Sequence, residues 1–310
     1  MQQTKRPNDL TPPMADISGI ARKTLDLPYG SLSENQRLDV YLPEAGEGPF
    51  PALIYIHGGG FAMGDKRDGH LTPYLEALGR GIAVVAVEYR LSGEAAFPAA
   101  VLDARAAVRH VKAHAARLCL DAQRLIAIGG SAGGNLAAML GMNIPNGAFP
   151  GETAVPQEAP QPFVLAAVDQ FGPMDFKTMD AQARENGMGI AEHDLPQSPE
   201  SKYLGMPVAQ APDALCERAN PLSYAGARMA PMLVQHGTAD RLVPCAQSEE
   251  FVRGLREKGL GDRVFLTLLE GAGHGDRRFG EEENQRVVFG FVQDVLAGRK
   301  PVVPALERGA

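Results

Sequence analysis

Cysteine is scarce. Only Cys119, Cys216 and Cys245 occur in 310 residues. The number is odd, the spacings are wide and there is no Cys-x-x-Cys, which argues against a disulfide framework or a zinc site. Tryptophan is absent and aromatic residues make up only 6%. No uninterrupted apolar run approaches the roughly 18 residues of a membrane span, so no membrane partner is expected. No basic block appears, and 30 Lys and Arg against 37 Asp and Glu leave a net charge of −7. Nucleic acid is therefore not an expected partner. The 35 glycines follow no Gly-x-y repeat, which excludes collagen and points to many tight turns. The opening MQQTKRPNDL has no apolar core, so no signal peptide is expected and a cytoplasmic location is the default.

What is present is an ordinary globular composition, 45% hydrophobic and 22% charged, long enough to bury a large core. Residues 1–17 are polar and carry Pro7, Pro12 and Pro13, and read as a flexible arm. Residues 21–27 and 37–42 read as a strand pair. Short apolar or β-branched runs follow at 52–57, 82–88, 125–128, 164–168, 232–235 and 264–269, and read as buried strands. Helical spacing occupies 71–80, 99–117, 132–140, 246–257 and 281–296. Strand and helix in alternation predict an α/β fold, a mostly parallel central sheet flanked by helices. Residues 18–300 are expected to form one domain, with 301–310 as a C-terminal tail. Residues 173–230 show no clear strand and are rich in Met, Pro and Gly; they read as a small inserted cap.

In such sheets ligands bind beyond the carboxyl ends of the strands. Residues 125–134, LIAIGGSAGG, place Gly129, Ser131 and Gly133 as Gly-x-Ser-x-Gly between a strand and a helix. That context predicts a nucleophile elbow, with Ser131 as the attacking group. The sequence HGGGF at 57–61 follows another strand and would aim backbone amides into a pocket. Amides of Gly59, Gly60 and Ala132 are the expected oxyanion donors, and His57 is expected to brace its own loop. His274, in the Gly-rich EGAGHGD, is the expected general base. Asp240, in HGTADRLVP, is the expected acid that orients it, with Asp169 as its rival. Phe61 and Val243, each close to a catalytic loop, are the expected substrate-binding residues. No histidine pair has metal-site spacing and no dinucleotide fingerprint occurs, so neither metal nor cofactor is expected.

HGGGF, GGSAGG, HGTAD with VP after it, and GAGHG, in that order, resemble the α/β-hydrolase esterases. The resemblance covers roughly residues 20–297. It is nearest to the hormone-sensitive-lipase-like branch and to the bacterial feruloyl and acetyl esterase-like hydrolases related to prolyl oligopeptidases. Gly130 stands where hormone-sensitive-lipase relatives usually carry Asp, and Phe61 where many carry Trp. The resemblance implies a serine carboxylesterase that acts on small to medium esters through a Ser-His-Asp triad and an acyl-enzyme. An amidase, formamidase or exopeptidase using the same triad is the alternative, and a non-catalytic binding protein on this fold a further one. The expected partner is a small-molecule ester; a homo-oligomer is open.

Overall fold

Residues Phe50–Ile56 form a strand, β3, that is buried along its whole length. Successive strand side chains point to opposite faces. Accordingly, Ala52, Ile54 and Ile56 join one hydrophobic cluster, while Leu53 and Tyr55 join another on the opposite face. A strand apolar on both faces belongs in the middle of a sheet covered on both sides.

The computed structural model describes residues 13–152, 155, 156, 158–187 and 191–303. Residues 1–12 of the expected arm and 304–310 of the expected tail lie outside the described residues. The eight strands are β1 (Lys23–Pro28), β2 (Arg37–Tyr41), β3, β4 (Ala83–Val87), β5 (Leu120–Gly130), β6 (Ala166–Gln170), β7 (Met232–Gly237) and β8 (Val264–Leu269). They lie side by side in the order β1-β2-β4-β3-β5-β6-β7-β8. β1 and β2 pair antiparallel, as do β2 and β4; every later pairing is parallel.

Helices α1 (Ala99–Ala113), α2 (Ala132–Gly141) and α6 (Ala246–Glu257) cover one face. The other face carries α7 (Glu282–Leu296) and a 3-10 segment, Gly69–Arg80. Helical spacing was expected over 71–80; the winding there is 3-10. Pro73 inside the segment has no amide to donate, and its ring would clash with the carbonyl four residues back in an α-helix. α1 stops at Ala113, short of the expected 117. β5 runs longer than its apolar core, because Leu120 pairs with Phe50 across a register shift.

Between β6 and β7, the described part of residues 173–230 holds three short helices, α3 (Met179–Glu185), α4 (Pro199–Leu204) and α5 (Asp213–Ala219), and no strand. Tyr203, Leu204, Met174 and Phe176 bury into the same cluster as α1 and α2, which seats the insertion on the sheet domain. The end of the expected arm is also tied down. The Ala15 amide donates to the Arg67 carbonyl at 2.8 Å, and Met14 bridges Asp68.

Candidate active site

Ser131 joins β5 to α2 with φ 56° and ψ −125°. Side-chain-bearing residues avoid this region at a cost of about 1–3 kcal/mol, so the surroundings must impose it. The Ser131 amide donates to the Gln170 carbonyl at 2.8 Å, and its carbonyl accepts from Asn135 at 3.1 Å. The flanking glycines are steric requirements. A Cβ on Gly133 would lie 2.1 Å from the Ile56 carbonyl oxygen, and one on Gly129 2.5 Å from the Gly133 backbone. The turn therefore lifts the Ser131 hydroxyl beyond the carboxyl end of the sheet.

His274 lies on the loop after β8 and Asp240 on the loop after β7. His274 Nε2 is 2.9 Å from Ser131 Oγ, and its Nδ1 is 2.7 Å from Asp240 Oδ2. With Nδ1–H donating to the carboxylate, Nε2 accepts from the serine hydroxyl. Asp240 is fully buried and its Oδ1 accepts from the amides of Leu242 and Val243 at 2.8 and 2.9 Å. Burial alone would raise its pKa. Hydrogen bonds from His236 and His274, and their charge, overcome burial and hold the carboxyl well below the usual range. His236 is a brace: Nδ1 meets Ser248 Oγ at 2.7 Å and Nε2 meets the Val243 carbonyl at 3.0 Å.

The structure keeps the rival acid apart. Asp169, at the end of β6, accepts the Gly172 amide at 3.0 Å and makes no contact with His274. Burial pushes its pKa up to about 8. The folded protein thus holds a proton that the unfolded chain releases near pH 4, and this makes folding less favourable as pH climbs from about 4 to about 8. We expect Asp169→Asn to flatten the fall in thermal stability across that window; an unchanged Tm-against-pH slope would exclude a neutral Asp169.

The loop after β3 turns sharply at Gly59 (φ 102°) and Gly60 (φ 59°). A Cβ on Gly59 would sit 2.1 Å from the Met63 carbonyl oxygen. His57 holds this loop from below. Its Nδ1 meets the Gly58 carbonyl and its Nε2 meets Glu88, both at 2.8 Å, and Glu88 also takes the Lys66 amide at 3.0 Å. Tyr89 stacks on the imidazole at 4.4 Å. Burial disfavours the charged ring, but Glu88 more than offsets it and raises the His57 pKa. Gly59, Gly60 and Ala132 all border the cavity that Ser131 and His274 line.

That cavity encloses about 440 Å³ and is bounded mainly by apolar groups. Phe61 and Val243 both border it, but they are only 1% and 3% exposed. Phe61 stacks on Tyr203 at 3.8 Å, so it stiffens the wall and offers little surface. Met63 and Leu242, each nearly half exposed, stand at the rim. One contributor escaped the sequence reading. The Phe171 ring meets His274 edge-on at 4.9 Å and Phe279 at 4.5 Å. It also fills the space beside Gly130, where a Cβ would lie 2.9 Å from its Cζ. Nothing in the local pattern DQFG marks that role, because it depends on a positive φ of 46° at Phe171.

Among the described residues no three His, Cys, Asp or Glu side chains gather as a metal site, and no helix is long and apolar enough to cross a membrane.

Residues 38–255 match the BD-FAE family. Esterase LipQ of Mycobacterium tuberculosis is 29% identical over 80% of this chain and 56% of its own length. The ethyl acetate hydrolase of Pseudomonas putida is 28% identical over 77% of this chain and 70% of its own. The chain spans about half the length of the first curated relatives it matches. Among solved structures, a truncated carbohydrate esterase from gut microbiota superposes with a TM-score of 0.76 at 24% identity, covering 92% of this chain and 99% of that one. The sheet order, the elbow at Ser131 and the match across most of the chain lead to one assignment: the chain belongs to the BD-FAE family and has the α/β-hydrolase fold.

Proposed function

We propose that the chain is a serine carboxylesterase that hydrolyses small to medium esters, with Ser131 as nucleophile, His274 as base and Asp240 as orienting acid. The observation that carries this reading is the unbroken hydrogen-bond chain from Ser131 Oγ through His274 to Asp240, opening onto an apolar cavity. The named esterases among its relatives support it.

Ser131 Oγ attacks the ester carbonyl carbon as its proton passes to His274 Nε2. Asp240 stabilises the imidazolium and keeps Nδ1 protonated. Amides of Gly59, Gly60 and Ala132 take the charge that forms on the carbonyl oxygen, aided by the positive end of α2. The tetrahedral species collapses as His274 returns the proton to the leaving alkoxide, which departs as alcohol. Water, deprotonated by His274, then attacks the acyl-Ser131 bond; the acid leaves and the serine regains its proton.

Cavity size sets the substrate range. Each methylene adds about 0.8 kcal/mol only while it is being buried. Once the share of this open cavity of about 440 Å³ on the acyl side of Ser131 is full, longer chains must strain or protrude. Across a series of p-nitrophenyl esters, we expect kcat/KM to peak between roughly two and six acyl carbons on this burial argument. A constant that climbs steadily through twelve carbons would overturn the small-ester reading.

A further inference from the structure

His193 and Glu200 reach the cavity from the cap and stand out in its apolar wall. Their side chains are 6% and 7% exposed, and His193 Nδ1 lies 3.3 Å from Glu200 Oε2. Among the described residues, His193 Nε2 has no hydrogen-bond partner, and Glu200 Oε2 has none besides the His193 imidazole. Buried polar atoms are nearly always satisfied, so a bare imidazole nitrogen beside a carboxylate in the wall of a binding cavity calls for a ligand.

The pair is held in place. The His193 amide donates to Asp180 Oδ1 at 2.8 Å, and Ser198 Oγ donates to the His193 carbonyl at 2.6 Å. Ser198 also caps α4, on which Glu200 stands, by accepting the Ser201 amide. Pro199, the first residue of α4, packs against Gly60; a Cβ on Gly60 would lie 2.9 Å from it. The pair therefore flanks the residue that packs on Gly60, in the wall of the same cavity that Ser131 lines.

We propose that His193 and Glu200 form a polar subsite that binds a hydroxyl group carried by the ester substrate. This rests on the ester-hydrolase reading above. A carboxylate oxygen accepts and a protonated imidazole nitrogen donates, and a hydroxyl group can do both in return. Burial disfavours the charged imidazole, but Glu200 outweighs it and raises the His193 pKa, which favours the donating form. A ligand anion would face Glu200 and a ligand cation would face His193. A neutral hydroxyl meets neither repulsion: it can accept from His193 Nε2 and donate to Glu200. An apolar wall at this place would pack without polar atoms to satisfy, so the pair discriminates for hydroxylated esters and against plain ones.

Glycerol 1-acetate and propyl acetate share a carbon skeleton and differ only in two hydroxyls, which makes the ratio of their kcat/KM values the readout. We expect wild type to favour glycerol 1-acetate, and Glu200→Leu and His193→Leu each to shrink that preference about tenfold or more, chiefly through KM; this is the size expected when a hydrogen bond to a charged group is lost. Glu200→Gln, which keeps an accepting oxygen, should recover part of it. A preference unchanged in all variants would overturn the subsite. So would an equal loss on both esters accompanied by a lower Tm, which is what a purely structural strut would give. The ratio of dissociation constants for the two esters, measured by calorimetry on Ser131→Ala carrying the same changes, reads the subsite without catalysis. Absence of wild-type turnover on both esters would overturn the hydrolase reading, while this binding ratio would still decide the subsite.

Discussion

Ser131→Ala should abolish ester turnover while leaving the protein folded. The hydroxyl is the only group on β5–α2 that can form the acyl intermediate in the proposed mechanism, and its removal takes nothing from the turn that positions it. The Ser131 amide and carbonyl keep their bonds to Gln170 and Asn135. Loss of one member of such a constellation costs on the order of 10⁴-fold or more in rate. Steady-state kinetics on p-nitrophenyl acetate, beside a thermal melt, measures both halves of the expectation. Near wild-type activity in a folded variant would sink the serine mechanism. A serine-directed phosphonate should label wild type at this residue and leave the variant unlabelled.

Asp240→Asn should be almost as damaging, through a different cause. Asp240 Oδ1 is committed to the amides of Leu242 and Val243. An asparagine would keep its carbonyl oxygen there and turn its NH₂ toward His274 Nδ1. That nitrogen would then have to accept, the proton would move to Nε2, and Nε2 could no longer take the serine proton. The wrong tautomer costs roughly 10⁴-fold in comparable triads. Asp169→Asn should alter kcat/KM far less, since Asp169 bonds Gly172 and not the imidazole. Purified variants of both decide it. If Asp169→Asn is the inactive one, the acid has been placed on the wrong strand.

The two aspartates also show how far the sequence carries. The run 52–57 was readable as a strand because both faces of a central strand are apolar; 264–269 lies at the sheet's edge and was readable from its own apolar residues, and β8 matches its expected span residue for residue. The elbow was readable because steric demands at residues 129 and 133 leave only glycine, and that demand is local. The Asp240–His274 pairing could be anticipated from motif order; its geometry depends on two loops brought together by the β7–β8 register. Phe171 and the His193–Glu200 pair were not readable in the same way. One owes its place to a backbone conformation that its residue type does not advertise. The other consists of two cap residues whose neighbours are set by how the insertion folds back on the sheet. The 3-10 winding of Gly69–Arg80 likewise lay beyond apolar spacing, which constrains the face that is buried and leaves the pitch open.

Ser131 and His274 are 143 positions apart, and the imidazole hangs from a strand at the outer edge of the sheet. A ribosome adding about 5–20 residues per second needs roughly 7–30 s to cross that interval. Once β6 has followed β3, β5 and α2 and supplied the Gln170 carbonyl, the serine turn can exist, yet its hydroxyl has no base beside it. On the proposed mechanism the nascent chain is chemically inert toward cellular esters until β8 docks. The last of the eight strands to be synthesised is also the one that arms the site.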